Sequence, residues 1–203
     1  MTEIEYVSEF SASRELSFRQ RWNDYLAIIF GLLILLAGIN LRNQVLGATT
    51  AYSNPEAGIN LRYPSNWLID NNRNYVFRVR DIHETGFKTT IQIATMPLGR
   101  ETSLRNVIDT LTLDRSQTLA VFNVIEIDNE SPTSEGATST SVTYTYVAVD
   151  PNPFLKSFPT VVTGTDVITI KRGQAVVVSF VADSKKFQDK SPIFEQFLYD
   201  LDF

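Results

Sequence analysis

The chain has 203 residues, a net charge of −5 at neutral pH, one histidine and no cysteine. The missing cysteine excludes disulfides, thiolate metal centres, a cysteine nucleophile and anchoring through an acylated cysteine. Past residue 41 the charges are interspersed, with no run of Lys and Arg among aromatics, so nucleic acid is not an expected partner.

The opening stretch, residues 1–21, mixes Ile4, Tyr6, Val7, Phe10, Leu16 and Phe18 with charges and serines and keeps neither a helical nor a strand period. It reads as a loosely ordered tail. Tyr25 to Leu41, YLAIIFGLLILLAGINL, is apolar on every face. At 1.5 Å per residue its ~17 residues cover most of a ~30 Å hydrocarbon core, and Trp22 and Tyr25 place aromatics at the leading interface. A transmembrane helix acting as an uncleaved signal anchor is therefore expected over 22–42. A cleaved secretory signal is the competing reading. It fits less well, because INLRNQVLGATTAYS offers only Gly47 and Ala48 toward a small-x-small site. Arg14, Arg19 and Arg21 precede the span and Arg42 alone follows closely. By the positive-inside rule the N-terminus is cytoplasmic and the C-terminal domain extracytoplasmic: periplasmic, extracellular or lumenal. Ala27, Gly31 and Gly38 share one face of the helix, where a second membrane helix can approach closely.

Residues 43–55 are small and polar and read as a linker. Residues 56–203 then suffice for one domain with a real core. Ile59, Leu61 and Tyr63 alternate with Asn60 and Arg62 until Pro64, giving a first strand. After a turn at 71–74, Tyr75 to Ile82 reads as a strand with Tyr75, Phe77 and Val79 on one face and Arg78 and Arg80 on the other. Thr89 to Met96 repeats the alternation. Leu104, Val107, Ile108 and Leu111 then recur at helical spacing, so an amphipathic helix is expected from Ser103 to about Gln117 with Thr102 as its cap. Strands resume at Val121 to Ile127 and Ser139 to Val149, the latter with Val142, Tyr144, Tyr146 and Ala148 on one face.

The segment PNPFLKSFPTVVTGT reads as an irregular loop, because its prolines exclude regular pairing. Phe154, Leu155 and Phe158 are too apolar for a merely solvated connection and are expected to bind a partner. Asp166 to Ile170 and Gln174 to Ala182 form a hairpin turning at Lys171, Arg172 and Gly173, and AVVVSFVA suggests a strand buried on both faces. A closing helix is expected from Ser191 and Pro192, with Ile193, Phe194, Phe197, Leu198 and Leu201 on its apolar face. The fold class is α+β, an antiparallel sheet flanked by helices and preceded by one transmembrane helix.

Gly58-Ile59-Asn60-Leu61, followed by Tyr63-Pro64 and Trp67, resembles the opening of the PsbP-like family of extrinsic photosystem proteins and their bacterial relatives. The order of elements is similar from Ala51 to Phe203, including the helix after the third strand and the ending in Phe194, Phe197 and Leu201. The resemblance implies non-enzymatic accessory work at a membrane, stabilising a larger complex of other membrane-protein subunits or binding a protein partner outside the cytoplasm; the span itself makes membrane lipid a partner. Two departures stand out: an uncleaved span where many members are released or lipid-anchored, and no counterpart of the photosystem-binding N-terminal segment.

His83 is the sole histidine and no Gly-x-Ser-x-Gly elbow accompanies it, so a serine hydrolase is not expected. Phosphate-loop and dinucleotide motifs are missing, and no cofactor is expected. Asp81, His83 and Glu84 offer a loose oxygen and imidazole set for a divalent ion, and Glu126, Asp128 and Glu130 an oxygen ladder for calcium. Their spacing fits polar strand ends better than ligand sets. The runner-up to an accessory subunit is a membrane-anchored sensory domain for a small molecule or ion.

Overall fold

A computed structural model describes residues 18–70, 75–99, 103–131, 139–149 and 158–202. The chain falls into two units, residues 1–47 and 48–203. The first holds α1 (Phe18–Leu46), which exceeds the expected 22–42 at both ends. Within it Trp22–Val45 is 24 residues of apolar helix, none of it buried. That is about 36 Å at the helical rise, long and apolar enough to cross a membrane. A helix satisfies its own backbone hydrogen bonds, as a segment in hydrocarbon must.

Residues 43–55 are not a linker. Only Gly47 and Ala48 separate α1 from β1 (Thr49–Asn54), which pairs antiparallel with β2 (Ile59–Pro64) from Thr49↔Pro64 to Asn54↔Ile59. The sequence TTAYSN hides this strand because Tyr52 is its sole large inward residue. Its ring lies 4.9 Å from that of Phe77.

Among the described residues the main sheet has seven antiparallel strands. In spatial order they are β3 (Leu68–Ile69), β4 (Phe77–Arg80), β5 (Thr90–Pro97), β9 (Gln174–Asp183), β8 (Thr160–Lys171), β7 (Ser139–Ala148) and β6 (Ala120–Ser131). The central β9 is buried on both faces from Ala175 to Phe180, as AVVVSFVA requires. Its even residues, from Val176 to Ala182, join Ile91, Ile93, Phe77 and Val79 in the larger core beneath α3 (Phe187–Tyr199) and β2. There Phe180 stacks on Phe194 at 5.0 Å and Phe77 on Phe197 at 5.9 Å. Each such side chain contributes about 2–3 kcal/mol of burial. Ala175 and Val177 face the other way, onto Val107 and Ile108 of α2 (Leu104–Thr118), with Val142 and Ile168 beside them. Helices thus flank the sheet on both faces.

Several other boundaries differ from expectation. Ser103, rather than Thr102, caps α2, its hydroxyl accepting from Asn106 N at 3.3 Å. The segment from Thr160 to Thr165 is strand, since β8 pairs with β7 from its first residue and two strand neighbours supply the hydrogen bonds that composition does not advertise. The closing helix begins four residues early, leaving Pro192 inside it. One backbone bond is lost there, and burial of Phe194 and Phe197 outweighs it. The hairpin turn falls where expected. Arg172 and Gly173 both take positive φ, 53° and 75°, between the Lys171↔Gln174 pair, as a two-residue turn demands.

Candidate functional site

β-Strand alternation sends every second residue of β4, β5, β9 and β8 to the α2 side of the sheet. The register lines them up. Arg78 pairs with Gln92, Gln92 with Ser179, and Ser179 with Asp166. A polar row therefore crosses four strands, with Arg80, Thr90, Val181 and Gly164 forming the next row. The helix α2 covers only part of this face. The uncovered part is a groove of about 930 Å³, floored by Gln92, Ala94, Val177 and Ser179. Arg78, Arg80 and Lys88 stand on one side, Arg115, Tyr144 and Tyr146 on the other.

Its far wall is held by a buried polar network. Asp166 is 1% exposed. Arg115, reaching down from α2, forms an ion pair with Asp166 and donates through Nη2 to Ser179 Oγ at 3.4 Å. Tyr144 OH donates to Asp166 Oδ1 at 3.3 Å, and the Arg115 guanidinium lies 4.4 Å over the Tyr144 ring. That ring occupies the space above Gly164: a Cβ on Gly164 would come within 2.5 Å of it, so glycine is what lets the tyrosine lie flat. Burial works against the charge of Arg115, and Asp166 more than offsets this, raising its pKa. Burial also pushes the Tyr144 hydroxyl well above its ordinary range and that of Tyr146 up to about 12. Both phenols therefore stay protonated near neutral pH, acting as donors rather than bases. On the near wall Arg80 lies 3.1 Å and Arg78 3.9 Å from Asp70, Arg78 covers the Tyr75 ring at 5.0 Å, and its buried Nε has no acceptor among the described residues. Charged, aromatic and fixed, these groups are suited to binding.

The candidate ion ligands do something else. The strand ends at Arg80, leaving His83 exposed in the turn beyond. Asp81 and Glu84 are buried and converge on Lys190 of α3, at 2.8 and 3.2 Å. The ammonium stands where a metal would have to, and no group of three metal-ligating side chains occurs among the described residues. Burial opposes ionisation of both acids. Lys190 counters it with His83 N–H for Asp81, and Thr89 with Lys190 for Glu84, holding both below the ordinary carboxylate range. Glu126 and Asp128 lie exposed on β6, which pairs only with β7. Phe154 and Leu155 lie outside the described residues, as do Thr102 and the turn at 71–74. Phe158 is 90% exposed and lines the groove rim. Ala27, Gly31 and Gly38 lie in α1, and among the described residues nothing comes within 4 Å of where a Cβ on either glycine would sit.

Alternation placed Arg78 and Arg80 together, and Tyr144 with Tyr146, from sequence alone. What it lacked was register. A lone Asp at position 166 ahead of VITI and a lone Ser179 within AVVVSFVA were the available signals of a polar row.

No family model and no curated protein matches the chain. Among solved structures, the solution structure of cyanobacterial PsbP from Synechocystis sp. PCC 6803 matches with a TM-score of 0.55 at 14% identity, over 76% of this chain and 92% of that one. The domain has the PsbP-like fold. Fainter likenesses, both with a TM-score of 0.49 at 10% identity and over 76% of this chain, are to the Ran-binding protein Mog1p of Saccharomyces cerevisiae, 95% covered, and LpqN of Mycobacterium tuberculosis, involved in cell envelope biogenesis, 89% covered. Identities this low speak to the PsbP-like fold alone.

Proposed function

We propose that the chain is a single-span membrane protein whose PsbP-like domain works, without catalysis, as an accessory or interaction subunit of a larger membrane complex. The observation that carries this is the joining, in one chain, of a 24-residue apolar helix with nothing buried and a PsbP-like domain. Residues 1–21 form the cytoplasmic tail, 22–42 lie within the anchoring helix, and the domain is extracytoplasmic, on the side opposite Arg14, Arg19 and Arg21. Lipid surrounds the span, and its Ala27, Gly31 and Gly38 face meets a neighbouring membrane helix. The test is purification of the full chain from its native membrane in mild detergent. A stoichiometric protein partner is expected, released by Gly31→Leu with Gly38→Leu. A chain that purifies alone from the native membrane would sink this reading.

The groove supports a second reading, a membrane-anchored domain that senses a small ligand, since about 930 Å³ is within the range of ligand sites. A lone chain with a saturable small ligand would favour it.

A further inference from the structure

In a chain of net charge −5, the groove gathers Arg78, Arg80, Lys88 and Arg115, against Asp70 facing the two β4 arginines, Asp114 at its rim and the buried Asp166. Arg78 stands on β4 while Arg115 is tied to Asp166 on β8, a strand about 14 Å away, and the positive charges of both act on the Tyr146 hydroxyl. Between them the floor is uncharged, from Gln92 and Ser179 to Ala94, Val177 and Val181. Along the strand direction, Thr90 to Met96 of β5 all contribute alternate residues, a trough of about 20 Å.

A trough about 20 Å long is far larger than one phosphate or carboxylate. A flat bilayer surface cannot enter it. A chain segment with carboxylates spaced along an apolar body satisfies both the separated cations and the apolar rim of Phe87, Met96, Leu111, Val149 and Phe158. Arg78 and Arg80 on one wall and the near-complete exposure of Phe158 on the rim mark the two ends of that chemistry, one charged and one apolar. We propose that the groove is the docking site for an acidic segment of a protein partner, about six or seven residues long, carrying apolar or aromatic side chains between its carboxylates. This rests on the accessory-subunit reading and names the chemistry of the partner.

The test uses the full-length chain in non-ionic detergent and a fluorescent peptide of about seven residues alternating Glu with Leu and Tyr. Saturable binding is expected, weakening as salt rises and falling by about tenfold or more in Arg78→Glu with Arg80→Glu. Because both arginines also face Asp70, Gln92→Trp serves as a second variant that fills the groove without changing charge. It should abolish binding while leaving the melting temperature close to wild type. Absence of saturable binding would overturn the proposal, as would equal binding of a peptide with Lys for Glu. Displacement of the peptide by inorganic phosphate or by phosphatidylglycerol doped into the micelle, at matching anion concentration, would overturn it in favour of a small anion or a lipid. A chain that co-purifies with its partner but binds no acidic peptide, and whose Gln92→Trp variant still co-purifies, removes the groove proposal and leaves the accessory reading standing. A chain that purifies alone yet binds the peptide through the groove keeps the docking site and removes the accessory reading.

Discussion

Asp166 is the residue on which the groove's far wall depends. Its carboxylate is almost wholly buried, and it serves Arg115 and Tyr144 at once. Removing one member of a buried ion pair leaves the other desolvated and uncompensated, which costs about 3–5 kcal/mol. Asp166→Ala is therefore expected to lose that much in urea unfolding, and to free Tyr144 from the groove's far wall. Asp166→Leu combined with Arg115→Met should cost much less, since neither charge is then stranded. Equal losses for the single and double variants would show that the charge pairing is not what holds this wall. The network was only half legible in the sequence. A lone acid among β-branched residues says that something pairs with it, but Arg115 lies on a different element 51 residues away.

Among the elements, α3 is fastened by two different means, apolar and ionic. Phe194 and Phe197 bury into the main core, while Lys190 reaches the turn after β4 to hold Asp81 and Glu84. Both acids have folded pKa values below their ordinary ones, so their contribution is complete above the ordinary carboxylate range and fades as pH falls through the lowered values. Lys190 has a raised pKa, so its contribution holds below the ordinary lysine value and fades as pH rises through the folded one. The latch is thus at full strength from about pH 4.5 to about pH 10.4. Lys190→Met is expected to cost about 3 kcal/mol at neutral pH. Without the ammonium, the His83 N–H at Asp81 and the Thr89 donors at Glu84 oppose burial without a shared cation, so acid unfolding should begin at a higher pH than in wild type. Melting temperatures followed from pH 7 downward check this, and an unchanged acid midpoint would contradict it. Apolar periodicity made α2, β5, β7, β9 and the body of α3 readable, because each buries a continuous face. It failed where burial is one-sided or polar. β1 has a single inward aromatic, β3 is two residues long, and the start of α3 is set by Phe187 and Lys190 rather than by Ser191 and Pro192.

For the whole molecule, an apolar helix with no buried surface and a PsbP-like domain joined to it through Gly47 and Ala48 make a short-tethered domain, suited to work at a membrane. On one side of its sheet α3 and β2 seal the larger core, while on the other α2 leaves the cationic groove open. An interaction subunit should therefore meet its partner on the open side. Site-specific photocrosslinking in intact cells tests this most directly, with the photoreactive side chain placed at Phe158 on the groove rim, where it does not fill the floor, and, separately, at Tyr199, which is 74% exposed on α3. A discrete protein adduct is expected from Phe158 and none from Tyr199. No protein adduct at Phe158, or the same adducts from both positions, would contradict this.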